Sequence, residues 1–181
     1  MYTKLVEGQI IFYFAHTDLF EDIKHESAFM CKNIASKEGD DLSENYAITD
    51  DEDGMLKICL REALPDIYDT IMALTHGISD AYYDSITGEQ IKALDTELAD
   101  LSVTDTAYYV VLRTVDHKAY NPNDVKLVDS ALLSAIESGA IMQFYTRVIH
   151  PDLTKLSGSV AVAQLQALDA RIIPLRKRTT L

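Results

Sequence analysis

Cysteine is scarce in this sequence. Cys31 and Cys59 are the only two among 181 residues, far apart and in no CxxC pair. Two lone cysteines without a neighbouring His pair exclude a zinc ribbon or a disulfide framework, and are expected to be buried, reduced packing residues made in the cytoplasm. Glycine is sparse too: Gly77, Gly88, Gly139 and Gly158 stand alone, so no glycine-rich loop can cradle a phosphate. No apolar run approaches the about 18 residues of a membrane span. The opening Met1–Glu7 lacks the long apolar region of a secretory signal, so the chain is expected to stay where it is made. Basic residues are outnumbered, with 16 Lys and Arg against 29 Asp and Glu and a net charge of −13, which argues against a protein that coats nucleic acid.

What is present is ordinary globular material, 48% hydrophobic and 25% charged, long enough for one domain with a real core. The charge is unevenly placed. Glu38, Asp40, Asp41, Glu44, Asp50, Asp51, Glu52 and Asp53 crowd one region, and Arg171, Arg176, Lys177 and Arg178 crowd the C-terminus. Two readings fit: a solvated loop with a dipole-matched helix end, or an acidic flank and a basic tail that meet oppositely charged neighbours. The tyrosines, some paired as Tyr82-Tyr83 and Tyr108-Tyr109, lack interleaved basic residues, which fits sheet packing or a protein interface better than a base-stacking platform.

The stretch from Asn121 to about Ile149 organises the rest. Asn121-Pro122 supplies a cap and an imino acid suited to the first turn, and Asp124 complements the helix dipole. Val125, Val128, Leu132, Ala135/Ile136, Gly139/Ala140 and Gln143/Phe144 recur at helical steps and predict an apolar face throughout. Upstream, Ile10–Phe14 reads as a short strand, and a helix over about 18–36 turns Leu19/Phe20, Ile23, Ser27, Met30/Cys31 and Ile34 inward. Thr49-Asp50-Asp51-Glu52 is a capping box. The helix behind it runs to about Leu74, with Leu56, Leu60, Ala63/Leu64, Ile67, Ile71 and Leu74 inward and Pro65 as an expected kink. Between them and the central helix, 81–86 reads as a strand, Gly88–Asp100 as a short helix and Ala107–Val115 as the strongest strand candidate. His150-Pro151-Asp152 is a tight corner into a last helix over about 152–173, antiparallel to its predecessor. Its expected inward face is Leu153, Leu156, Val160, Ala163, Ala167/Leu168 and Ile172, and Pro174 is expected to break it. The expected fold is mainly α: one helical-bundle domain of about four long helices over 1–181, with a small β hairpin or sheet element in an insertion or protrusion over about 78–118.

No motif points to catalysis, a metal or a cofactor. Asp50-Asp51-Glu52-Asp53-Gly54 fails as a calcium loop, because Leu60 falls where the bidentate Glu belongs. His25-Glu26 lacks the second His of a zinc-protease helix, and His16, His76, His117 and His150 lie in separate elements. Ser157-Gly158-Ser159 has no strand–turn–helix setting for a nucleophile. The chain is therefore expected to be no enzyme.

The order of elements resembles the head–tail connector (adaptor) proteins of tailed bacteriophages and related phage and prophage structural proteins. The likeness is carried by Thr49-Asp50-Asp51-Glu52 running into Leu56, Leu60 and Arg61-Glu62-Ala63, and by the long helix opening Asn121-Pro122-Asn123-Asp124. It continues in the third helix, the basic end Leu175-Arg176-Lys177-Arg178 and an opening helix at Asp18-Leu19-Phe20-Glu21. The resemblance implies a virion structural protein, made in the host cytoplasm, that forms a homo-oligomeric ring (twelve-fold among the options) between portal and tail. It also implies contacts with portal and other connector or tail proteins, DNA contact only in passing, and no membrane. From the uneven charge, the expected interface residues are Arg171, Arg176, Lys177 and Arg178 against Asp40, Asp41 and Glu44. The competing expectation is a soluble helical module that takes a peptide or protein partner.

Overall fold

The computed structural model describes residues 2–6, 9–38, 43–74, 81–87, 106–113 and 121–177, with side chains within 12–34, 45–67, 69–70 and 121–173. The chain is mainly α. Strands β1 (Tyr2–Val6) and β2 (Gln9–Ala15) lead directly into helix α1 (His16–Glu38). A short helix α2 (Ser43–Tyr46) and a 3-10 turn (Asp50–Glu52) precede α3 (Asp53–Leu74). Strands β3 (Ala81–Thr87) and β4 (Thr106–Arg113) follow, then the long helices α4 (Pro122–Val148) and α5 (Pro151–Lys177). The four strands form one antiparallel sheet in the order β1-β2-β4-β3. β2 is an inner strand with Phe12 facing Val110 across the ladder, and Phe12, Tyr13 and Phe14 are all buried, as expected for a strand covered on both faces. β1 had no counterpart in the sequence reading. The expected helix at 88–100 and the inward positions Ile71 and Leu74 lie outside the described residues and side chains.

Helix α4 is the axis of the bundle, packed most extensively against α5 and next against α3. Asn121 caps it through its side-chain oxygen, which accepts from the Asn123 amide at 2.9 Å. Val125, Val128, Leu132, Ala135, Ile136, Ala140 and Phe144 are buried as their spacing predicts. Ile141 and Tyr145 are buried too, so the covered arc is wider than one stripe. The inward face of α1 matches the expectation, including Ser27 at 0% exposure. Its hydroxyl donates to the Lys24 carbonyl at 2.9 Å and accepts from the Ile48 amide at 3.0 Å, which makes a polar residue affordable in the core.

Two expectations for α5 need correcting. Its buried residues are Leu153, Ser157, Ala161, Leu168 and Ile172, whereas Ala163 and Ala167 are exposed and Leu156 and Val160 are only partly buried. The inward face is therefore rotated towards Ser157 and Ala161. Ser157 can be buried because its hydroxyl donates to the Thr154 carbonyl at 3.2 Å, within its own helix. Nor does Pro174 end the helix, which winds on to Lys177. Proline's fixed φ is itself helical, and so close to the end only the bond to the Ala170 carbonyl is forgone.

Candidate functional site

Of the residues proposed from sequence as an interface, Arg171 is exposed on α5. Arg176 and Lys177 lie in the last turn of that helix and Glu44 in α2, with side chains outside those described. Asp40, Asp41 and Arg178 lie outside the described residues.

Of the nearby carboxylates, Asp50, Glu52 and Asp53 are used within the subunit. Asp53 receives His16 Nε2 at 2.6 Å and Lys57 Nζ at 2.9 Å. These partners, His16 foremost, hold its carboxyl below the usual aspartate range. Lys24 donates to Asp50 at 2.6 Å and reaches Glu21 at 2.7 Å while lying 5.0 Å from the Phe20 ring centroid, and both carboxylates raise its pKa. The reciprocal box between Thr49 and Glu52 forms, with the Thr49 amide donating to Glu52 Oε2 at 2.7 Å. The acidic stretch is thus a clamp tying the start of α1 to the start of α3, separated by 37 residues at the His16–Asp53 contact. With its pKa lowered, Asp53 is a poor general base near neutrality.

The cysteines are packing groups. Cys31 Sγ lies 3.4 Å from the hydroxyl of fully buried Tyr145, which donates to the Tyr46 carbonyl at 3.1 Å. Burial pushes the Cys59 thiol up, disfavouring the reactive thiolate, although Arg147 donates to its sulfur at 3.6 Å. Arg147 also pairs with Glu62, linking α4 to α3. Among the described residues no group of three or more His, Cys, Asp or Glu could hold a metal ion, and no helix is long and apolar enough to cross a membrane.

Two features remain. A cavity of about 220 Å³ lies between α3, α4 and α5, walled by the small residues Ala63, Ala135, Gly139 and Ala161, with Val162 at 55% exposure and Asp66 in its lining. At its wall α3 and α4 approach closely: a Cβ on Gly139 would stand 2.9 Å from the Ala63 Cβ. The second feature is the α4–α5 corner. Ile149 closes α4 in the left-handed conformation at φ 58°, its amide donating to the Tyr145 carbonyl at 3.1 Å, and its side chain is 80% exposed. His150 fixes the turn beyond it, accepting from the Leu153 amide at Nδ1 (3.3 Å) and meeting the Tyr46 ring edge-on at 4.7 Å.

Comparison with family models, with curated proteins and with solved structures finds no match. A void of this size, lined by carbon with one carboxylate at hand, can take an aliphatic or aromatic group but offers nothing to activate it. The sequence could not disclose it, because its lining comes from three helices and its walls are residues too small to signal anything by themselves.

Proposed function

We propose that this chain is a non-enzymatic structural subunit of a phage virion, forming a ring-shaped adaptor between portal and tail. The observation that carries the reading is the long antiparallel α4–α5 hairpin, whose final helix continues through Pro174 to Lys177. That helix carries exposed Arg171 and, in its last turn, positions 176 and 177, occupied by Arg176 and Lys177. Arg suits a carboxylate-bearing neighbour because its planar fork binds bidentately. The resemblance of the order of capped helices to that of connector proteins supports the same reading.

Deleting residues 175–181 tests it. The truncated chain should keep its melting temperature and lose docking onto the portal or connector partners encoded beside it. Unimpaired docking would remove the helix end from the account, and a collapse in melting temperature would make it part of the core. A second reading, a helical module that takes a peptide, is favoured by the α3–α4–α5 cavity; capture of a peptide side chain there, by a chain that stays monomeric, would favour it.

A further inference from the structure

Three carboxylates meet where α1 lies against α4. Asp22 and Glu26 are one helical turn apart, hence on one side of α1, and both act on Glu137 of α4. Glu137 Oε1 is buried without a hydrogen-bond partner. Among the described residues the charges that act on Glu137 are these two, and α3 and α5 add none. Its neighbours one turn away on α4, Leu133, Ser134, Ala140 and Ile141, are uncharged. Lys24, the cation of the same turn of α1, is held by Asp50 at 2.6 Å and Glu21 at 2.7 Å, and His25 beside it is exposed. Carboxyl groups gathered in this way stay together by retaining a proton.

We propose that α1 is a proton-operated latch: a hydrogen shared by Glu137 and Asp22 holds the helix against α4, and its loss lets the helix open ahead of the rest of the fold. In the closed state the Glu137 carboxyl donates to the Asp22 carboxylate. On release its proton passes to solvent, and three negative charges then face one another across the interface. Burial first, then the charges of Asp22 and Glu26, push the Glu137 carboxyl from 4.5 up to about 7. The hold is therefore complete below 4.5 and is lost as pH rises through about 7. Two features make the opening local. Helix α1 packs on α4 less extensively than α3 or α5 does. His16, Lys24 and Ser27 tie α1 to the segment 48–53, so it can part from α4 while still joined to the start of α3. Farther along, about 12 Å beyond Glu137 on α4, Tyr145 meets Cys31 at 3.4 Å. An open α1 bares Ile23, Met30 and Cys31, all buried in the closed state.

The two cysteines read the opening within one molecule. Cys31 lies on α1, Cys59 lies on α3 against Arg147, and both are free and fully buried. The full chain is treated with dithiodipyridine, which labels thiols in acid as well as alkali, and each labelled cysteine is followed by mass spectrometry. Taking the ratio of the two rates cancels the pH dependence common to thiols. In wild type the ratio of Cys31 to Cys59 labelling should rise about tenfold between about pH 5 and about pH 8, solvent at the partly exposed Glu137 having reduced the full effect. In Glu137→Gln, which keeps the shape and cannot ionise, the ratio should stay constant within about twofold. Asp22→Asn, at an exposed position, should show a smaller rise than wild type. A wild-type ratio that does not change with pH, or one that rises as steeply in Glu137→Gln, would overturn the latch. Acceleration of both cysteines together would also overturn it, because the chain would then be opening as a whole.

Discussion

Replacing Glu137 with Gln should make the protein more stable at alkaline pH and flatten its pH dependence. Glu137 sits partly buried on α4 with Oε1 lacking a hydrogen-bond partner, and it faces Asp22 and Glu26, one turn apart on α1. Burial first, then the two neighbouring charges and the hydrogen bond with Asp22, push its carboxyl from 4.5 up to about 7. The folded state therefore holds a proton that the unfolded chain has released. This contribution is fully present below the unfolded value of 4.5 and is lost as pH rises through about 7. The whole interval would correspond to about 3 kcal/mol, and solvent reaching the partly exposed side chain reduces this to about 1–2 kcal/mol. Urea titrations at about pH 5 and about pH 8 measure it. Wild type should lose that amount relative to Glu137→Gln between the two, so that the variant matches it in acid and exceeds it in alkali. Stability curves that run parallel across the range would refute the reasoning, because the repulsion of the −13 net charge is common to both proteins apart from this one group.

Gly139→Ala should destabilise by about 1–3 kcal/mol despite the better helix propensity of alanine, since the new methyl would stand 2.9 Å from the Ala63 Cβ, which is anchored to a helix backbone. Adding Ala63→Gly should recover part of the loss, and a stabilised Gly139→Ala would mean that the helices can separate freely there. Leu132→Ala, at a position with 0% exposure, should cost roughly 2–5 kcal/mol. Thr49→Ala, at an exposed cap, should cost about 1 kcal/mol. Denaturant midpoints in the reverse order would show that α4 is not the axis of the core.

The helices were legible where local chemistry announces them. Asn121-Pro122 and Thr49 with Glu52 mark starts, and the apolar spacing of α1 and α4 marks inward faces, because caps and periodicity act within a few residues. Legibility failed where the deciding contact is distant or silent. Ser157 is polar in composition yet buried, so the apolar pattern alone turned α5 by the wrong angle. The pairing of His16 with Asp53, the neighbours of Glu137 and the hollow beside Gly139 all join helices far apart in sequence. Ile149 reads in the sequence as one more aliphatic residue, and only the backbone reveals its positive φ.

Sedimentation velocity of the wild-type chain over a wide concentration range, with negative-stain imaging of the same samples, bears most directly on the central claim. The account predicts concentration-dependent association that ends in closed rings of constant mass, promoted by the portal or connector partners. A strictly monomeric chain at every concentration, unchanged by those partners, would contradict it.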